Sequence, residues 1–296
     1  MNIAIIINPN SGKKKSPLIF NSIKPLLKEK NITYNIFETQ YKNHATNIIN
    51  TINIEDYDGL FMIGGDGTFH EIVTGLMLRN DGEKIPIGII PGGSGNSFLY
   101  KTNIKNPFDI TQKLLDFKKR KIDVIEIKSS NNTLYSINLV GWGLVTDIGK
   151  NAEKYRWLGT NRYTLISIIE IIKNKNRIAK LTINNKKADK NQFTFIIGCN
   201  TQYVGKGMHM APKASTNDGL LDLIVVNGNL SRIKLFKTLP KLFKGTHIND
   251  PEVSYHQVSS FSIKTKNNEL LNIDGELKGE TPIDVRVIHN AIEVFN

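Results

Sequence analysis

Three short loops carry residues whose types and spacing could do chemistry: Asn8-Pro9-Asn10-Ser11-Gly12-Lys13, Gly64-Gly65-Asp66-Gly67-Thr68 and Pro91-Gly92-Gly93-Ser94-Gly95-Asn96. Glycine permits close backbone approach and positive φ, so each loop can turn its N–H groups toward an anion. A helix N-terminus following such a loop adds to that attraction. One glycine turn after an apolar run is ordinary, whereas three in one domain point to phosphate. None matches G-x-x-x-x-G-K-[ST], and no G-x-G-x-x-G opens the first helix with an acid about 20 residues on. A P-loop nucleotidase and a nicotinamide dehydrogenase are therefore disfavoured. Asp66 discriminates further. A carboxylate beside a bound pyrophosphate would repel it, but a phosphotransferase can use one to accept a hydroxyl proton or to help hold Mg2+. The competing reading is that Asp66 only caps a helix beginning near Thr68.

Such loops act together only if strands deliver them to one edge of a sheet. Ile3 to Ile7 is a continuous apolar run that stops at Asn8-Pro9, as a buried parallel strand does before a loop. Helical patterns over 17–30, 44–52 and 69–78 then alternate with strand patterns over 33–37, 59–63 and 85–90. This alternation predicts a doubly wound α/β nucleotide-binding domain, with ligands outside the carboxyl ends of its strands. After Lys118-Lys119-Arg120-Lys121 the rhythm changes. Strands are predicted over 122–127, 135–140, 179–183, 193–197, 221–226, 258–263, 270–273, 283–288 and 292–294, with helices near 161–173 and 231–243. The second half reads as a mainly antiparallel β-sandwich. The expected domains are residues 1–122 and 123–296, with the last strand able to return to the first domain. No internal repeat or low-complexity linker is present.

The 296 residues are 40% hydrophobic, enough for two ordinary cores. Lys and Arg number 39 against 27 Asp and Glu, a net charge of +12 that favours phosphates, anionic membrane surfaces or nucleic acid. Richness in Asn, Lys and Ile is an equally simple origin for the excess, and no nucleic-acid recognition motif accompanies it. The single cysteine, Cys199, excludes an internal disulfide framework and Cys-rich zinc motifs, and reads as a buried structural thiol in a reduced compartment. The start, Met1 to Ile7, lacks the basic opening and cleavage site of a signal peptide. No apolar stretch approaches the roughly 20 residues of a membrane span. The expectation is a cytoplasmic protein with peripheral membrane contact, to which the basic run at 118–121 could contribute.

The run Gly64-Gly65-Asp66-Gly67-Thr68-Phe69-His70-Glu71-Ile72-Val73-Thr74-Gly75-Leu76 resembles the signature of the diacylglycerol kinase catalytic superfamily. Pro91 to Phe98 is similar to the second nucleotide loop of its sphingosine and ceramide kinase branches. Glu153-Lys154-Tyr155-Arg156-Trp157-Leu158-Gly159 with Arg162, His209-Met210-Ala211-Pro212 before Asp218-Gly219-Leu220-Leu221-Asp222, and Asp274-Gly275-Glu276 extend the likeness over nearly the whole chain, in family order. The resemblance implies an ATP-dependent, Mg2+-requiring lipid kinase with its active site in an interdomain cleft. Asp66 would take the proton of the lipid hydroxyl. Asn8, Ser11, Thr39, Gly64, Gly65, Gly67, Thr68, Gly93, Ser94 and Asn96 would line the nucleotide site. Arg156 and Arg162, which spacing alone would leave on a solvated helix face, would neutralise the triphosphate. Asp274 and Glu276 would approach the nucleotide and Mg2+ from the second domain. Asp147 and Glu153 would meet the substrate, its tail lying near Tyr155, Trp157 and the helix at 165–172, residues that plain core packing explains as well. Asp218 and Asp222 would form a metal site, as in some bacterial relatives, or serve only a turn and a strand.

One departure limits the substrate. In sphingosine kinases an acidic residue four positions before the counterpart of Glu153 contacts the amino-alcohol head, and here that position is Gly149. Asp147 is the nearest carboxylate, a spacing closer to ceramide kinases. Diacylglycerol, ceramide, a sphingoid base or another long-chain alcohol stay open, as does a homodimer. The alternatives are an NAD kinase-like phosphotransferase, which also carries a Gly-Gly-Asp-Gly loop, and a non-catalytic lipid- or nucleotide-binding relative.

Overall fold

The computed structural model describes residues 1–93, 96–100, 106–130, 132–155, 162–173, 176–186, 190–205, 207–228 and 230–296. They form two compact units, Met1–Val124 with His289–Asn296, and Ile125–Ile288.

The first unit alternates β1 (Asn2–Ile7), α1 (Ser16–Glu29), β2 (Thr33–Glu38), α2 (His44–Thr51), β3 (Gly59–Gly64), α3 (Asp66–Leu78), β4 (Ile87–Pro91) and α4 (Pro107–Leu114). The strands are parallel in the order β2-β1-β3-β4. The end of the final strand, β15 (Ile283–Phe295), adds beside β4 with Val294 opposite Ile87. Every residue of β3 and β4 is buried, so both faces of the sheet are covered, and the strands read as unbroken apolar runs for that reason. Helix α1 packs with α4, and α2 with α3. The core closes around Phe61, whose ring meets Phe295 edge-on at 5.9 Å, while Phe117 contacts both. The last residues of the chain thus complete the core of its first unit.

The second unit begins within β5 (Lys119–Ser129) and continues through β6 (Thr133–Ser136), β7 (Leu139–Gly143), α5 (Leu144–Lys154), α6 (Arg162–Lys173), β8 (Arg177–Ile183) and β9 (Lys190–Cys199). It then adds β10 (Leu221–Asn227), α7 (Arg232–Lys244), β11 (Val253–Val258), β12 (Ser260–Thr265), β13 (Leu270–Ile273), β14 (Glu276–Glu280) and the start of β15. Its strand pairs are antiparallel, along β14-β13-β7-β9-β8-β12-β15. One edge of β9 serves β8 through Lys190–Phe193 and then β7 through Phe195–Cys199, while β10 takes the other edge. Alternate residues of β10 enter different cores: Leu223 and Val225 join Trp142 and Phe261, and Ile224 and Val226 join Met210 and Leu235. Burial of both faces makes β10 an apolar run rather than the half-exposed alternation of a surface strand.

Three strand expectations are corrected. The strand expected at 135–140 is split into β6 and β7, and the one expected at 258–263 straddles β11 and β12. Strand patterns at 283–288 and 292–294 are one strand, with Asn290 at φ 53° inside it. The basic run at 118–121 is not a bare cationic patch: Lys118 and Lys119 pair with Asp116 and Glu293, and Arg120 lies over the Phe98 ring. Burial lowers the guanidinium's affinity for its proton.

Phe295→Ala should remove the keystone ring of the first unit and lower its stability by about 3 kcal/mol in a urea titration.

Candidate functional site

In the first unit the glycine loops touch backbone to backbone. The N–H groups of Gly92 and Gly93 both donate to the Gly64 carbonyl, at 2.7 and 3.1 Å. A Cβ on Gly93 would lie 2.4 Å from Gly65 Cα, and one on Gly12 would lie 1.9 Å from the Gly92 carbonyl oxygen. Gly12 also holds φ at +57°, which disfavours any side chain there. Asn8 ties the first loop to α3. Its N–H continues the ladder to the Ile63 carbonyl, and its Nδ2 donates to Thr68 Oγ1 at 3.0 Å. Thr39 is buried beyond the end of β2, its N–H donating to the Ile7 carbonyl. Asn96 Nδ2 donates to the Gly93 carbonyl at 3.2 Å.

Asp66 is the first residue of α3, not a cap outside it, because Gly65 before it is extended at φ −108° and ψ −170°. Its carboxylate accepts from the Ser97 N–H at 2.9 Å and, more weakly, from the Phe98 N–H at 3.5 Å. Asp66 therefore does more than cap a helix: it binds the loop after β4. The positive end of α3 lies beside it. Phe98 reinforces the clamp by packing its ring on Phe69, centroids 4.9 Å apart. One turn on, Glu71 accepts from the N–H groups of Asn43 and Ala45 and fixes the start of α2 against α3.

Sequence reading placed Ser97 and Phe98 in a nucleotide loop without a role of their own and missed Ser16. Ser16 Oγ, on the first residue of α1, is buried without a hydrogen-bond partner, and a Cβ on Gly92 would lie 2.6 Å from it. Ser-Pro is a legible helix-start signal, but nothing local reveals an orphaned hydroxyl beside the glycine loops. An unpaired buried donor and a floor without side chains together fit the phosphates of a nucleotide.

In the second unit Asp274 and Gly275 form a two-residue hairpin turn, at φ 52° and 89°, between β13 and β14. The Asp274 carboxylate accepts from Ser136 Oγ at 2.7 Å and from the N–H groups of Ile137, Asn138 and Leu139 at 2.8 to 2.9 Å. It is the hub that splits β6 from β7. Sequence reading assigned it to nucleotide and Mg2+, and the structure adds a structural job. Glu276, just past the turn, is partly exposed and 3.6 Å from Lys278. Asp147 on α5 accepts with both oxygens from Nη2 of Arg177 on β8 at 2.8 Å, and Arg177 Nε lies 2.7 Å from Glu269. The carboxylate expected to meet substrate is thus paired. Gly149 packs on Asn272, whose Nδ2 would lie 3.1 Å from a Cβ there. Glu153 and Arg162 belong to α5 and α6, with side chains outside the described set; Arg156 and Ser94 lie outside the described residues.

Residues 2–127 match the diacylglycerol kinase catalytic domain, and residues 138–296 match the YegS C-terminal NAD kinase beta sandwich-like domain. The chain belongs to the diacylglycerol kinase catalytic family. Sphingosine kinase 1 of Arabidopsis thaliana is 28% identical over 88% of this chain and 64% of its own length. This family member therefore spans just under two thirds of that relative. Three solved structures from Bacillus anthracis strain Sterne share its fold at TM-scores of 0.74 to 0.81, covering 99% of this chain and 96% of theirs at 18 to 23% identity. The one at 0.74 is a diacylglycerol kinase. An NAD kinase from Archaeoglobus fulgidus, solved with ATP, shares the fold more loosely, at TM-score 0.53 and 13% identity over 99% of this chain and 93% of that one.

The two carboxylates expected to form a metal pair have partners within the protein. Asp218 Oδ1 accepts from the Leu220 N–H at 3.0 Å and closes a turn. Asp222 is fully buried, accepts from the Tyr255 hydroxyl with one oxygen and has no partner for the other. No group of three or more His, Cys, Asp or Glu placed to hold a metal occurs among the described residues. Burial, and secondarily the Asp218 charge, pushes the Asp222 carboxyl up to about 6, while the Tyr255 hydrogen bond opposes the shift. Cys199 is a buried free thiol, and burial raises it well above its usual range. No described helix is long and apolar enough to cross a membrane.

Two outcomes follow. Gly93→Ala should weaken binding of an ATP analogue at least about tenfold in calorimetry while the circular dichroism spectrum is kept, since only loop backbone must yield. Asp222 is protonated more readily in the folded state than in the unfolded one. Its stabilisation is therefore complete below about pH 4 and lost as pH rises through about 6. Asp222→Asn should stabilise the metal-free protein by about 2 kcal/mol at pH 8 and hardly at all near pH 4, read from urea midpoints.

Proposed function

We propose that this protein is an ATP-dependent kinase that phosphorylates the hydroxyl of a long-chain lipid. The observation that carries the reading is the position of Asp66, a carboxylate clamped by the Ser97 N–H at the N-terminus of α3, beside glycine loops in backbone contact. Membership of the diacylglycerol kinase catalytic family supports it. When bound, Mg2+–ATP supplies the phosphoryl group and shields the charge that moves. The backbone of Gly64, Gly65 and Gly93, with the side chains of Asn8, Ser11, Ser16, Thr68 and Asn96, holds phosphates and fixes their orientation. Arg156 and Arg162 add positive charge. Asp66 orients the acceptor hydroxyl and takes its proton on a carboxylate oxygen. Asp274 acts indirectly, by shaping the turn that presents Glu276.

The acceptor head is read as uncharged. On α5 Gly149 has no side chain and Asp147 is paired with Arg177, so no unpaired carboxylate among the described side chains of that helix awaits an ammonium group. Diacylglycerol and ceramide fit this better than a sphingoid base.

The test is phosphoryl transfer from ATP to diacylglycerol, ceramide and sphingosine by wild type and Asp66→Asn. Wild type should favour a neutral acceptor, and Asp66→Asn should lose at least about a hundredfold in kcat with binding of an ATP analogue kept. Asp66→Asn activity within a few-fold of wild type would remove the base assignment.

A further inference from the structure

A second surface, in the second unit, lies on α7. Ser231 caps the helix, its Oγ accepting from the Lys234 N–H at 3.3 Å, and Gly245 ends it at φ 72°. Arg232, Lys234, Lys237, Lys241 and Lys244 lie on it, with no carboxylate. Its inner face is fixed: Leu235 is buried, and Phe236, Leu239 and Leu242 pack on the core around Met210 and Ile224. Two flanking lysines are held from the following segment. Lys234 bonds Glu252, and Lys241 bonds Asp250, which also accepts from Thr238 Oγ1 at 3.0 Å. These bonds set the roll of the helix.

The outer face is then defined. Ile233, Lys237, Pro240 and Lys244 recur at i, i+4, i+7 and i+11, a stripe about 60° wide, with Arg232 and Phe243 along one side. Ile233 is 68% exposed and Phe243 49% exposed. Arg232, Lys237 and Lys244 are exposed and have no ion pair among the described residues. A stripe that mixes projecting apolar side chains with unpaired cations has a specific physical fit. Ile233 and Phe243 are placed to enter the boundary between head groups and acyl chains. The lysine stems can lie along the same boundary while their ammonium groups reach lipid phosphates.

We propose that this face of α7 docks the protein on an anionic lipid bilayer. A second copy of the chain is a poor occupant, because it would set three cations against three on partners each carrying +12. Nucleic acid would satisfy the cations but leave Ile233 and Phe243 without a purpose. The proposal deepens the lipid-kinase reading, since an acceptor embedded in a membrane has to be reached from its surface.

The test is co-sedimentation of the full chain with vesicles of phosphatidylcholine alone, or with about 30% phosphatidylglycerol. Wild type should bind only the anionic vesicles, less at high salt. At about fivefold per cation, R232Q/K237Q/K244Q should lower binding about a hundredfold, and I233S/F243S at least about tenfold. Both variants should keep the wild-type melting temperature and transfer to a water-soluble short-chain acceptor, and lose transfer to vesicle-borne lipid. Binding by both variants equal to wild type, or equal binding to neutral vesicles, overturns the proposal. So does a wild-type dimer, seen by sedimentation velocity, that the variants abolish while vesicle binding persists. If the chain phosphorylates no lipid yet binds vesicles through α7, the docking surface stands and the kinase reading fails.

Discussion

The first unit depends on one constraint, which is that three loops occupy the same small volume with no side chains between them. Gly12 presses on Gly92, and Gly93 presses on Gly65, at separations that a single methyl group would make impossible. The carbonyl of Gly64 is shared by two N–H groups of the next loop, so the loops move as one piece or not at all. Everything around them serves that convergence. The parallel strands deliver the loops to one edge, Asn8 ties the first to Thr68, and Asp66 ties the second to Ser97. The carboxylate is therefore part of the architecture of the loops.

The second unit repeats the device with different parts. Asp274 gathers four donors from residues about half the chain away and so decides where β6 ends and β7 begins. A carboxylate satisfied by several N–H and O–H donors in a tight turn is a strong local organiser. Arg177 plays the complementary role by holding Asp147 and Glu269 together. In each case an acidic residue that motif reasoning assigns to ligand has first to be accounted for as scaffold.

That distinction marks what the sequence made legible. The apolar runs of β1, β3 and β4 announced themselves because burial on both faces leaves no room for polar residues. The three loops were visible because glycine is required where backbones touch. Helix α5 was not visible: Asp147, Gly149 and Asn151 are poor helix formers, and tertiary contacts to Arg177 and Asn272 compensate. The break between β6 and β7 was equally hidden, since its cause sits 138 residues away. Capping stayed a competing reading for Asp66 because the extended Gly65, which starts the helix two residues early, leaves no local signature. Ser16 could be read as a helix start but not as a buried hydroxyl without a partner. Helix α7 was expected, but which of its basic residues face solvent follows only from the pairing of Lys234 and Lys241.

The central claim is that the convergent loops serve phosphoryl transfer from ATP to a lipid. Its most direct test is incubation with γ-labelled ATP, Mg2+, a total lipid extract and NAD together. Label recovered in a chloroform-soluble lipid, with none on NAD, is the outcome the arrangement predicts. Label on NAD, or label that never leaves the aqueous nucleotide pool across the whole extract, would contradict it.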